Sequence, residues 1–213
     1  MKSRPILFSA PMVRALLAGT KTQTRRVIKD QPSGGVQGCY RRPDGLFIWT
    51  SLPRPNNGTG DGVGISPTFA CPHGAPGSQL WVRESFIHEP ADYVWEASVS
   101  IPCRPATTVY RADCKGDSRG AGWTSPMFMP RSLSRITLEL TDVRAERLQD
   151  ISEADAIAEG IERSGECNWR DYADKHNDFT SARRSYRSLW ESINGAGSWA
   201  ANPWLWALSF KRV

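Results

Sequence analysis

The run Gly19-Thr20-Lys21-Thr22-Gln23-Thr24-Arg25-Arg26 brings a primary amine, three hydroxyls, an amide and two guanidinium groups into eight residues. A lysine three positions before a threonine pairs a base with a nucleophile, because a hydroxyl attacks poorly until a neighbour accepts its proton. Lys21 can accept that proton only as the neutral amine, which requires burial or nearby cations to lower its pKa. Arg25 and Arg26 are such cations by proximity, and as a pair they also suit a phosphate or a base edge. The competing reading is a solvated helix C-terminus, where basic residues suit the dipole.

These groups need elements to hold them. Residues 4–8 read as a short strand. Ser9 then offers an N-cap, Pro11 suits a first turn, and Met12, Val13, Leu16 and Leu17 recur at helical spacing up to Gly19, a C′ residue. Residues 21–26 are then a turn feeding a strand at Val27 and Ile28. Residues 79–84 and 107–111 are further strand candidates, and residues 135–140 alternate with Ile136, Leu138 and Leu140 on one face. Ser152-Glu153-Ala154-Asp155 is the capping signature of a short helix that stops at Gly160. Phe179, Ala182, Tyr186, Leu189, Trp190 and Ile193 mark a longer helix closed by Gly195, with Arg183, Arg184 and Arg187 on its solvated side. In a last strand Trp204, Trp206, Leu208 and Phe210 face one way, and Leu205, Ala207, Ser209 and Lys211 the other.

Two stretches, at about 29–77 and 87–130, lose this regularity and read as insertions. The first holds one hairpin, turning at Pro43-Asp44-Gly45 into Leu46-Phe47-Ile48-Trp49, and an exposed loop over 56–64. It has too little apolar content for a core of its own, so residues 1–213 read as one domain. Strands that do not alternate with helices argue for an α+β fold and against a doubly wound parallel sheet. A small, partly closed antiparallel β-barrel with flanking helices absorbs these elements.

The charge balance of +5 tolerates a polyanionic partner without demanding one. Nine tryptophans supply core area or flat faces for bases, and Trp81, Trp204 and Trp206 are expected in the core. Five cysteines, odd in number and without a Cys-x-x-Cys pair, argue against a disulfide framework and for a reducing cytoplasm. Cys71-Pro-His73 offers two ligands where a zinc site needs four, so neither metal nor cofactor is expected. No apolar run reaches spanning length and the first residues lack a secretory core, so no membrane partner is expected. His73, His88 and His176 stand singly, without a triad-like context.

Residues 18–26, 77–84, 134–138, 151–160 and 206–213 together resemble the ASCH family of the PUA-like superfamily, in particular its longer bacteriophage and prophage members. The Gly-x-Lys-Thr-x-Thr-x-Arg pattern after a helix is the most specific of these blocks. The resemblance implies a β-barrel with a cleft bordered by the first helix. It also implies that the chain is similar to small amidohydrolases that remove the acetyl group from N(4)-acetylcytidine with a Lys, a Thr and a Glu. Those positions correspond to Lys21, Thr24 and Glu159. Thr22, Arg25, Arg26, Trp81, Arg83 and Glu84 are the substrate-binding candidates, and Glu84, at a position that tends to line the family's cleft, competes with Glu159 as the working carboxylate. The chain departs from the small enzymes in being about twice their length and in carrying Ser78 where many members have an acidic residue.

Three functions fit this resemblance. One is hydrolysis of an N(4)-acylated cytidine or similar modified nucleoside. Another is binding of RNA or a modified base without catalysis. The third is metal-independent ribonuclease action in the same cleft.

Overall fold

The alternation of residues 204–210 becomes β11 (Trp204–Arg212), the strand that divides the molecule into two packing environments. The computed structural model describes residues 3–32, 36–50, 68–89, 92–96, 99–104, 106–114, 122–173 and 178–213, with backbone only for 92–96 and 99–104. The expected loop at 56–64 and His176 lie outside the described residues.

In chain order the elements are β1 (Ser3–Leu7), α1 (Ala10–Leu17), β2 (Gln23–Val27), β3 (Gly38–Arg41), β4 (Phe47–Thr50), β5 (Gln79–Arg83), β6 (Phe86–Glu89), β7 (Asp92–Glu96), β8 (Val99–Arg104), β9 (Thr107–Tyr110), β10 (Thr137–Arg147), α2 (Glu153–Ala158), α3 (Ala182–Asn194) and β11. The fold is α+β. Five strands form one sheet in the order β1-β5-β10-β11-β2, and three two-stranded ladders, β3-β4, β6-β9 and β7-β8, stand apart from it.

The sheet departs from the expectation in two respects. It is not wholly antiparallel, because β1 pairs with β5 in parallel. The chain leaves β1 through α1 and β2 and returns only after the β3-β4 hairpin, and such a crossover is what parallel pairing requires. No ladder joins the edge strands β1 and β2 among the described residues. A single side-chain bond, Arg26 Nη2 to the Leu7 carbonyl at 2.5 Å, links them. The strand expected at 107–111 forms as β9, and the 87–130 stretch around it is more regular than expected, since it contains most of β6 and all of β7 and β8.

Trp204, Trp206, Leu208 and Phe210 pack into the main core with Leu80, Val82, Leu138, Leu140 and Val143 from the sheet and Val13 and Leu16 from α1. The hairpin's Phe47 and Trp49 enter this same core, Phe47 lying edge-on to Trp206 at 4.7 Å. Its turn forms where the sequence places it, with Gly45 at φ +82°, open to glycine at little cost. Leu205 faces the other way, into a second cluster with Leu148, Ile151, Ala156, Tyr186, Trp190 and Trp199 under α2 and α3. Trp81 does not share the core with Trp204 and Trp206. It alternates away from Leu80 and Val82 and packs under the Arg83 and Arg131 guanidinium groups, 4.6 and 5.9 Å from its ring.

β10 runs to Arg147, well beyond the expected end at Leu140. Its pairing with β11 shifts between Leu140 and Asp142, leaving Thr141 as a bulge. Leu140 and Val143 therefore share the core face although they are three residues apart. No helix among the described residues is long and apolar enough to cross a membrane.

Candidate functional site

The site begins where α1 ends. Gly19, at φ +74°, turns the chain, and the amides of Thr20 and Lys21 both bond back to the Ala15 carbonyl at 3.0 and 3.1 Å. The next residue docks on a second helix end. The Thr22 amide donates to the Ala158 carbonyl at 2.9 Å, and its carbonyl accepts from the Phe210 amide at 2.9 Å. α2 is set for this contact by Ser152, whose hydroxyl caps the Asp155 amide at 3.1 Å. Gly160 completes the fit. Its φ is +79°, and a Cβ there would lie 2.8 Å from the Lys21 Cβ, so only glycine lets the last turn of α2 close on Lys21.

Lys21 is buried, and its ammonium donates to the Glu159 carbonyl at 2.7 Å and to Glu159 Oε2 at 2.8 Å. A cation on the last carbonyls of a helix is favourably placed against its dipole. Among the described residues no third acceptor lies within hydrogen-bond reach of the amine. The Phe8 ring is near both this ammonium, 5.7 Å from its centroid, and the Arg26 guanidinium, 5.2 Å away. Burial pushes the Lys21 pKa below its ordinary value, the Glu159 charge opposes the shift, and Arg26 and Arg25 add to it.

The two adjacent arginines have opposite surroundings because successive side chains of a strand point to opposite faces. Arg25 shares a face with Gln23, Ser209 and Glu146. It donates to Glu146 Oε1 at 2.6 and 3.0 Å, to Gln23 Oε1 at 2.6 Å and to Glu159 Oε1 at 3.2 Å, with Asp155 at 3.5 Å. Burial works against this charge, but Glu159 and Glu146 outweigh it and hold the Arg25 pKa above the ordinary arginine value. Arg26 faces Phe8 and has no carboxylate within salt-bridge distance among the described residues; its hydrogen bond goes to the Leu7 carbonyl. Burial lowers its pKa, with Glu159 only partly compensating.

A cavity of about 180 Å³ opens beside these groups, lined by Thr24, Arg25, Arg26, Glu159, Tyr186 and neighbours on α1 and α3. It draws on both faces of β2 and so follows the free edge of that strand. Thr24 is buried, yet its hydroxyl makes no hydrogen bond among the described residues. Tyr186 is held protonated well above the usual phenol range, first by burial and then by the Glu159 charge. A second cleft, of about 880 Å³, adjoins the first between α1 and residues 157–172, and Met12, Glu159, Leu189 and Ile193 line both. Chemically the small cavity offers a free hydroxyl, a guanidinium without a carboxylate, and a carboxylate coupled to a buried amine.

Of the residues singled out in the sequence, the structure thus brings Thr24, Arg25, Arg26 and Glu159 to one cavity, with Lys21 directly behind Glu159. It joins Lys21 to Thr24 by no hydrogen bond. Thr22 contributes through its backbone, and its side chain is exposed. Trp81, Arg83 and Glu84 lie elsewhere, lining neither cavity. Glu84 is buried against Arg135, which grips it at 2.9 and 3.0 Å, reaches on to Asp113 and covers the Tyr110 ring at 4.0 Å. Glu84 therefore does not pair with Arg83 or Arg26. Arg83 stacks on Trp81 and leaves its Nε without a partner. The sequence reading did not single out Gln23, Glu146 or Tyr186 for the site. Tyr186 was visible only as part of an apolar stripe, and Glu146 lies past the bulge, where alternation had lapsed. Among the described residues no group of three or more His, Cys, Asp or Glu side chains is arranged to hold a metal ion.

Comparison with protein-family models, with characterised proteins and with solved structures finds no match to this chain.

Proposed function

We propose that the chain is an amidohydrolase of the ASCH type, on a PUA-like, partly closed barrel, acting on an N(4)-acylated cytidine or a similar modified nucleoside. The observation that carries this reading is Glu159, which holds the wholly buried Lys21 ammonium behind it and lines a cavity into which the Thr24 hydroxyl, without a hydrogen bond among the described residues, opens. Glu159, which lines the cavity and is held 2.8 Å from the Lys21 ammonium behind it, takes the Thr24 proton as Oγ1 adds to the amide carbon. Arg26 stabilises the oxyanion, a role open to a guanidinium with no carboxylate within salt-bridge distance among the described residues. Collapse breaks the C–N bond, and the departing exocyclic nitrogen takes the proton back from Glu159. Water, activated through the same pair, then cleaves the threonyl ester and releases the acid. The setting that suits this substrate is the bacterial cytoplasm, for a phage- or prophage-encoded protein.

The test is acetate release from N(4)-acetylcytidine. Thr24→Ala should lower turnover roughly a thousandfold or more while the protein remains folded by circular dichroism. Wild-type protein that hydrolyses neither N(4)-acetylcytidine nor a longer N(4)-acylcytidine, or a Thr24→Ala variant as active as wild type, overturns the reading. Arg26 also favours the second reading, a binding module for RNA or a modified base. That reading expects salt-sensitive binding weakened by Arg26→Gln and indifferent to Thr24→Ser. RNA cleavage in chelator would point instead to the ribonuclease.

A further inference from the structure

We infer that the 880 Å³ cleft holds the acyl half of the cleaved amide, and that the acyl group is apolar and larger than acetyl; the inference rests on the amidohydrolase reading. The two cavities differ in size and in chemistry. At about 180 Å³ the smaller one falls below the ~300–1,000 Å³ of sites that enclose whole small molecules, while the larger falls within that range. A substrate confined to the small cavity would leave most of the concave surface unused. The small cavity is edged by Thr24, Arg25, Arg26 and Glu159, which match the polar edge of a pyrimidine, with the sugar left at its mouth.

The large cleft is built otherwise. Ala15 and Ala18 make one wall low, and Ile157, Ile161, Trp169 and Tyr172 supply apolar surface. Its Glu162 is neutralised by Arg170, so that carboxylate is not waiting for a cation. Of its other polar lining residues, Arg14, Thr20 and Arg163 already donate to backbone carbonyls and the Tyr172 hydroxyl accepts from the Glu162 amide, so the apolar walls suit an aliphatic or aryl acyl group, which would bury area there. Ile157 and Ile193 are 43% and 58% exposed, and this exposure is what such a ligand would remove from water. Glu159 and Met12 belong to both cavities, so a carbonyl at this shared wall has its nitrogen side toward Thr24 and Arg26 and its carbon chain in the cleft.

The experiment uses the full chain and a series of cytidines carrying N(4)-acetyl, N(4)-butanoyl, N(4)-hexanoyl and N(4)-benzoyl groups, with cytidine as control. Binding is measured by calorimetry on the Thr24→Ala variant, and kcat/KM on wild type. Affinity and kcat/KM should both rise along the aliphatic series, by at most about fourfold per methylene. Ile157→Trp, which narrows the cleft at an exposed position, should lower kcat/KM for the hexanoyl substrate about tenfold more than for acetyl. Turnover of N(4)-acetylcytidine with no gain, or a loss, on lengthening the chain overturns the inference and spares the amidohydrolase. Tighter binding of hexanoyl than acetyl ligand with no turnover of any substrate does the reverse. Equal binding of cytidine and all acylated ligands also overturns the inference.

Discussion

Two buried carboxylates, Glu84 and Glu159, are each held by basic side chains, and the difference between them separates a structural ion pair from a reactive one. Glu84 meets one arginine in a two-pronged grip, that arginine is still 27% exposed, and its other side is neutralised by Asp113. Glu159 meets two cations whose side chains have no solvent exposure at all, and it lines two cavities. The first arrangement is complete in itself. The second leaves a threonine hydroxyl, an amine donor position and a guanidinium without full partners, next to space for a ligand.

The comparison breaks most sharply at Glu159. Glu159→Ala leaves the buried Lys21 without a carboxylate among the described residues and takes one carboxylate from Arg25, and it should cost about 3–5 kcal/mol or prevent folding, read as the shift in urea midpoint. Gly160→Ala should follow at about 1–3 kcal/mol, because the left-handed backbone and the 2.8 Å approach to Lys21 both resist a Cβ. Glu84→Gln should cost about 1–2 kcal/mol, less than Glu159→Ala, because solvent can reach the Arg135 it leaves. Equal losses at the two carboxylates would erase the distinction. A smaller effect is expected from pH. The folded Lys21 loses its proton below the ordinary 10.5, so between its folded value and 10.5 the unfolded chain binds more protons. Wild type should therefore gain stability relative to Lys21→Met as pH rises through that window, and lose the gain as pH falls through the folded pKa. Tyr186 titrates in both proteins and cancels in the difference. Urea unfolding of both proteins at pH 8 and pH 10 measures it, and a gain in the opposite direction would place the Lys21 pKa above 10.5. Thr22→Ala should change stability by less than about 0.5 kcal/mol, since its contacts to α2 and β11 are made by backbone.

Much of the frame is legible where pattern and geometry share a period. β11, α1 with its Gly19 stop, the Asp44-Gly45 hairpin and the Ser152 cap each follow from local chemistry and form where read, although Ser9 sits at the N-cap of α1 without a side-chain cap bond. The start of β2 was not legible, because a run as polar as Gln23-Thr24-Arg25-Arg26 forms a strand only with β11 to pair with and α2 to cover its Gln23 and Arg25 side. Ile193 carries the period of the α3 stripe yet is 58% exposed, because it projects toward the clefts instead of the core. At the site, the residue types of Lys21, Thr24 and Arg26 were legible, but their partners were not. Nothing in sequence separates the saturated Arg25 from the carboxylate-free Arg26, since that contrast arises from which face of β2 each occupies.

The extra residue at Thr141 has a consequence for the other side of the molecule. It resets the phase of β10, so that Val143 and Ala145 turn inward while Glu146, opposite Leu205, comes round to meet Arg25. Pairing Thr141 without the bulge would turn Glu146 toward the tryptophans and strip Arg25 of one of its two shortest contacts, leaving Glu159 to answer for more of both neighbouring positive charges. Deleting Thr141 instead would restore strict alternation and keep Glu146 opposite Leu205. The way a strand outside both cleft linings absorbs one surplus amino acid thereby governs how strongly their shared acid is held.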